Sequence, residues 1–295
     1  MSVEEVLNSS SRDEQKIAQL RRLVEPDHDY NVSGCYQGIV QLIQIERLLC
    51  GEAGDGGIDK LFKSVQHEVS NKPDYLARYV RLWYHDLLSD YQYLVQEEGK
   101  HVIELINKKI LIHKACSVDE LSASINQKIV YLLVISPYDF RKLPVMNYIT
   151  NANMSLSPAV ETAFRLVKDN RLVPVEAFNQ FLALVDGLYK LLFRKLDLAQ
   201  LLANLLENNI VTLTKYYTSI QINQIYAMFG LDPATIDVEL IIASMIIKNK
   251  FQSPCKIDQI NNIVIFDDGP VANPLLKDHI LQVGTLATNL ANQIE

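Results

Sequence analysis

The feature that most constrains this chain is an apolar recurrence at steps of three and four residues, renewed in segment after segment. Between Lys72 and Glu98, the residues Leu76, Tyr79, Val80, Trp83, Leu87, Tyr91 and Leu94 fall on one face of a helix. The same spacing recurs in Glu14–Val24 through Ile17, Leu20 and Val24, and in Tyr36–Cys50 through Ile39, Leu42, Ile43 and Leu49. Further helices are predicted over His101–Cys116, Asp119–Ile135, Lys142–Thr150, Ser157–Lys168 and Pro174–Asp186. Pro158 and Pro174 suit first-turn positions, where a missing N–H breaks no intrahelical bond. A cap near Ser117 with Glu120 in the first turn would open the helix that ends in the apolar run Ile129–Ile135, which Ser136-Pro137 stops. Successive helices joined by short turns can bury such stripes only by stacking, so an α-solenoid of helix pairs is expected. No fixed internal period with a shared consensus accompanies it.

Composition agrees with a packed fold. The chain has 295 residues, 48% of them hydrophobic, with only 11 Gly and 10 Pro, which excludes disordered, collagenous and low-complexity classes. A chain of this size can bury roughly 75% of the surface it exposes when unfolded. Its net charge of −7 opposes binding to nucleic-acid phosphates, which needs a surplus of Lys and Arg. The four cysteines (Cys35, Cys50, Cys116 and Cys255) contain no C-x-x-C pair and read as thiols in a reducing compartment. The polar, acidic start MSVEEVLNSSSRDEQK resembles neither a signal nor a transit peptide. The longest uncharged stretch, Leu143–Val160, holds Pro144, Pro158 and three asparagines and cannot span a bilayer. A soluble, intracellular protein is expected.

The last third changes character. Leu188–Glu207 and Asn208–Tyr217 read as two helices. Thr218-Ser219 can cap Ile220–Phe229, Gly230 ends it, and Asp232-Pro233 opens a helix over Ala234–Lys248. Two short strands follow, Cys255–Asp258 and Ile263–Phe266, with Asn261-Asn262 as a hairpin signal. A helix-turn-helix followed by a two-stranded wing is a winged-helix pattern. Gly269-Pro270 closes it, and a final helix is predicted from Val271 to Ile294. Along that helix Leu276, Ile280, Val283, Ala287, Leu290 and Ile294 recur with period 3.5, an a/d seam. The seam must either fold back on its own domain or join helices of other chains in a bundle.

Signatures of chemistry are missing. His67-Glu68 lacks a second histidine at helical spacing, and there is no H-x-H, G-x-S-x-G, G-x-G-x-x-G or Walker sequence. The glycine-rich Gly51–Gly57 has no Gly-Lys-Ser/Thr behind it and reads as a loop. Asp86 and Asp90, one turn apart, could in principle do acid–base work but read as a solvated face. The second winged-helix helix carries Asp232, Asp237 and Glu239 at the end that would enter a DNA groove. Across residues 208–268 four lysines face six acids, so DNA binding is disfavoured. That helix is apolar on more than one face (Val238, Ile241, Ile242, Met245, Ile246, Ile247), which suggests packing against protein on both sides. No catalytic residue, metal or cofactor is expected.

The segment Leu202–Ile220 and the ending Lys256–Phe266 resemble the winged helix of PCI domains. Such domains occur in the proteasome lid, the signalosome and translation initiation factor three. Lys215-Tyr216-Tyr217 and Val134-Ile-Ser-Pro-Tyr-Asp139 resemble the lid subunits of the non-ATPase subunit five type, whereas Ile257-Asp-Gln-Ile260 is closer to their paralogue, the fourth signalosome subunit. The resemblance implies a non-catalytic scaffold of the cytoplasm and nucleus, whose partners are other PCI lid subunits, the lid deubiquitinase and the ATPase ring, with no nucleic acid and no membrane. It implies a division into shortened helical repeats (1–125), a PCI domain (126–268, helical to 206 and winged helix from 207) and a bundle helix (269–295). Two interfaces follow as expectations: the bundle seam named above, and a wing edge at Ile263, Val264, Ile265 and Phe266 that offers unpaired backbone groups to a neighbour.

Overall fold

A computed structural model of the chain describes residues 2–26, 28–32, 35–49, 57–69, 75–96, 101–116, 119–151, 156–168, 172–184 and 198–266. The helices are α1 (Val3–Leu7), α2 (Asp13–Leu23), α3 (Cys35–Leu49), α4 (Ile58–Val69), α5 (Tyr75–Asp90), α6 (Val102–Ala115), α7 (Asp119–Ile135), α8 (Lys142–Asn151), α9 (Pro158–Lys168), α10 (Val175–Leu184) and α11 (Leu198–Leu213). Then come strand β1 (Ser219–Gln221), α12 (Ile222–Phe229), α13 (Val238–Ile247), β2 (Lys256–Asp258) and β3 (Ile263–Ile265). The fold is a helical solenoid followed by a winged helix.

The long helix expected over Lys72–Glu98 is α-helical from Tyr75 to Asp90 and then widens into a π-turn, Tyr91–Gln96. Helices α1 and α4 were not among the expected segments, although Ile58, Leu61, Phe62 and Val65 of α4 fall at helical spacing; α1 is opened by a capping box between Ser2 and Glu5. The Gly51–Gly57 loop lies outside the described residues except for Gly57, as does the expected cap at Ser117.

The solenoid is stacked by neighbour. α3 packs on α4 and α5, α5 on α6, α6 on α7, and α7 on α9 and α11. The run Ile129–Ile135 explains why α7 lies in the middle: every residue of it is buried, so it has no face to give to water. Around it the solenoid forms one apolar core that reaches from Val6 to Leu205.

Charge is buried at the centre of this stack, and here the sequence reading needs correction. Asp86 and Asp90 are not solvated; they are 1% and 0% exposed. They project from α5 onto Lys109 of α6 and Lys128 of α7, which are buried as well. Lys109 Nζ donates to the Asp86 carboxylate at 2.5 Å and to the Asp86 carbonyl at 2.8 Å. It also lies 2.7 Å from Asp90 Oδ1, a contact held by charge and not by an aligned N–H. Lys128 Nζ donates to both carboxylates, reaching Asp90 Oδ2 at 2.9 Å. Burial alone would raise the pKa of Asp86, but the two ammonium groups overcome it and hold the carboxyl below its ordinary value. Burial would likewise lower Lys128, and the two aspartates raise it above the usual lysine value. Two anions and two cations thus neutralise one another and tie three consecutive helices at one level.

A buried pair is weak evidence for net stability, but breaking one leaves an uncompensated charge in a dry site. Lys128→Met should therefore lower the unfolding free energy by about 3–5 kcal/mol. Removing the exposed Arg165–Glu161 pair on α9 should cost at most about 0.5 kcal/mol. Urea titrations of the two variants measure the contrast.

Candidate protein-interaction surface on the winged helix

Helix α11 joins the two halves of the molecule. The sequence suggested two helices meeting at residues 207/208, but α11 runs unbroken from Leu198 to Leu213. Its Leu201 and Leu205 belong to the solenoid core. Its Leu206, Ile210 and Leu213 belong to a second core with Ile220, Ile225, Phe229, Val238, Ile242, Met245, Val264 and Phe266. The polar residues between these stripes are bonded, with Asn204, Glu207 and Asn209 buried and Asn208 half-buried. Asn204 donates to the Ile135 carbonyl at 3.0 Å, and Asn208 to the Ser136 carbonyl at 3.2 Å. Asn209 both donates to the Val173 carbonyl and accepts from its N–H, at 2.8 and 2.9 Å. Glu207 accepts from the Tyr138 N–H at 3.1 Å and pairs with Lys250 beyond α13. The Val134–Asp139 segment singled out in the sequence is therefore the seat on which the winged helix is bolted to the solenoid.

Within the winged helix, Ser219–Gln221 is a strand and not the start of a helix. Ile220 is buried between two exposed neighbours, the alternation of a strand. Helix α12 begins after it and ends at Gly230, whose φ of +66° is a left-handed cap. Asp232 holds a turn through Ala234, Thr235 and Ile236, so α13 starts later than expected, with Asp237 as its N-cap accepting from the Leu240 N–H at 3.0 Å. Tyr226 of α12 locks this start, donating to the Ile236 carbonyl and accepting from the Val238 N–H.

The sheet order is β1-β3-β2, antiparallel throughout. This corrects the wing-edge expectation. Ile263, Val264 and Ile265 form the central strand, paired with β1 on one side and β2 on the other, so their backbone is not an open edge. Phe266 donates its N–H to the Thr218 carbonyl at 2.8 Å. Val264 and Phe266 are core residues. Among the described residues the edges of the sheet are β1 and β2. The bundle seam (Leu276, Ile280, Val283, Ala287, Leu290, Ile294) lies outside the described residues.

The outer surface of the module is apolar where a DNA-reading helix would be polar. On α13, Leu240 is 67% and Ile247 80% exposed, two turns apart on one face. Ile260, at the tip of the β2–β3 turn, is 95% exposed. Asp258 accepts from the N–H groups of Ile260 and Asn261, which fixes that tip, and Gln259 donates to Glu239 of α13. Tyr216 and Tyr217 are exposed in the link to β1. The sequence signalled part of this patch, since α13 is apolar on more than one face and Ile247 belongs to that run, but it did not single out Leu240 or Ile260.

Residues 180–268 match the PCI domain. A search of curated proteins finds no match. PCI domains are generally structural and non-catalytic, and a PCI domain suggests a scaffold subunit of a PCI complex: lid, signalosome or initiation factor three. The matched span includes α11, the whole sheet and both helices of the module, and begins within α10. Among the described residues no helix is long and apolar enough to cross a membrane, and no group of three or more His, Cys, Asp or Glu is placed to hold a metal.

At the seam between the solenoid and the PCI module sits Lys142, 3% exposed, donating to the Ser136 carbonyl at 2.7 Å and to Asn208 Oδ1 at 3.0 Å. Burial, helped by the charge of Lys250, pushes its pKa down to about 7, against the pull of Glu207 and Asp139. The unfolded chain holds this proton up to the ordinary value of 10.5, so between pH 7 and 10.5 unfolding takes up a proton. Stability contributed by this group must rise with pH through that window and be flat below it. The stability of the native chain relative to Lys142→Met should accordingly increase between pH 7 and pH 9, as read by urea titration at each pH.

Proposed function

We propose that this chain is a non-catalytic scaffold subunit of the 26S proteasome lid, of the non-ATPase subunit five type, assembling the regulatory particle for ubiquitin-dependent degradation in cytoplasm and nucleus. The observation that carries the reading is a PCI winged helix, hydrogen-bonded through α11 to a helical solenoid, with an apolar outer face on α13. A module built in this way transmits position: a neighbour docked on the winged helix is held at a set angle to the solenoid. The exposed Tyr216-Tyr217 and the Val134–Asp139 seat favour the lid type. Its neighbours would be other PCI lid subunits, the lid deubiquitinase and the ATPase ring. In this reading Leu276, Ile280, Val283, Ala287, Leu290 and Ile294 supply a helix to a shared bundle, and the sheet edges at β1 and β2 face adjoining winged helices.

The second reading is the fourth signalosome subunit, a part of the complex that trims a ubiquitin-like modifier from cullins. Ile257-Asp258-Gln259-Ile260 favours it, since it spans β2 and the exposed tip. The set of proteins that co-purifies with the tagged chain separates the two.

Assembly is the direct test. Leu240→Glu with Ile247→Glu alters two exposed positions, where substitutions change stability by about 0.5 kcal/mol or less. The double variant should fold yet incorporate poorly into the lid, followed by native mass spectrometry. Truncation before Leu276 should likewise prevent incorporation. Normal incorporation of both would defeat the scaffold reading as stated.

A further inference from the structure

A cavity of about 310 Å³ opens at the joint between the solenoid and the PCI module, bounded by α8, the end of α9, α11 and the segment after α13. That volume lies at the lower end of the range for small-ligand sites and suits one large side chain. Its walls are mixed, with an apolar side made by Leu143, Met146, Leu166, Val167, Val211 and Phe251. Phe140 and Leu143 stand 80% and 59% exposed at its rim, more apolar surface than a solvated turn has reason to show.

Most charged groups around the cavity have a partner at ion-pair distance. Asp139 lines it, but Arg141 engages that carboxylate at 2.7 Å and also reaches Glu104 at 2.9 Å. Glu207 is held by Lys250. Lys142 is the exception. Its ammonium makes two hydrogen bonds, both to neutral acceptors, and no carboxylate lies within ion-pair distance among the described residues. An ammonium has three N–H donors, so one remains for an incoming acceptor. Below pH 7, where the Lys142 side chain is protonated, a buried cation with no carboxylate in direct contact is costly, and an anion arriving with an apolar group would relieve the cost while filling the cavity.

We propose that this cavity is a socket for an apolar side chain flanked by a carboxylate, presented by a partner subunit, with Lys142 as the pairing cation. The proposal rests on the scaffold reading and names the chemistry of one contact within it. Burial is the first cause of the lowered pKa of Lys142, and a carboxylate bound beside the ammonium would raise it. Because the socket's two sides belong to the solenoid and to the PCI module, its occupant would also brace the joint.

The test titrates the isolated full chain at pH 6, where Lys142 is protonated, with N-acetylphenylalanine and with its primary amide, which share the side chain and differ only in charge, using NMR chemical-shift changes. The acid should bind at least about tenfold more tightly than the amide. Lys142→Met should abolish that preference. Leu143→Glu, placed on the exposed rim where the fold tolerates it, should weaken the acid more than the amide. Equal affinities, no binding of the acid, or a preference that survives both variants would overturn the proposal. No partner subunit is present in this titration, so failure here while the Leu240/Ile247 and truncation variants still lose incorporation removes the socket and leaves the scaffold reading standing. Normal incorporation of those variants with the acid still bound removes the scaffold reading instead.

Discussion

One helix has to satisfy two cores at once, and the rest of the molecule follows from that. Leu205 and Leu206 are adjacent in sequence, yet one faces the solenoid core and the other the winged-helix core. A helix buried on two sides must also bury whatever lies between its stripes. In α11 those residues are Asn204, Glu207, Asn208 and Asn209, and each finds a partner in the 135–138 turn, at Val173 or at Lys250. Net gains of about 1 kcal/mol per hydrogen bond are modest, but the cost of leaving any one unmade in a dry seam is about 1–3 kcal/mol. The seam therefore accepts few relative orientations of the two halves, which is what a positioning subunit needs.

The Asp86–Asp90–Lys109–Lys128 cluster performs a comparable task inside the solenoid. Apolar stripes on α5, α6 and α7 could slide by a turn with little loss, since one leucine serves much like another. Two carboxylates and two ammonium groups cannot slide, because any shift strands a charge. The cluster is best understood as setting register. Lys142 shows the opposite condition, a cation buried at the joint with neutral partners only. That difference separates a finished structural site from one with room for a ligand.

Much of the architecture was legible because periodicity reports burial directly. Asp119–Ile135 matches its helix residue for residue, and the β2 and β3 segments lie within a residue of expectation. The errors have a common cause. Ser219–Gln221 is too short to show a period, and it is a strand only because Ile263–Ile265 lies beside it. The wing edge was misassigned for the same reason: a strand's place in a sheet is set by a partner distant in sequence. Asp86 and Asp90 looked solvated because charge usually is. A signal was present, since Lys109 continues the buried series Val102, Leu105, Ile106 and Lys128 the series Leu121, Ile125. Opposite charges at core positions of consecutive helices could have been paired on that basis.

By itself the sequence determined that this chain stacks amphipathic helices, that it ends the described part in a winged helix, and that its net charge is negative. Those properties are local or additive, and composition and spacing carry them. Only the tertiary structure decided which strand is central, which lysines the buried aspartates meet, and where a lysine is left without a carboxylate in contact. Each of these depends on groups brought together from separate elements, and spacing along a chain can mark a position as buried but does not fix which groups meet there.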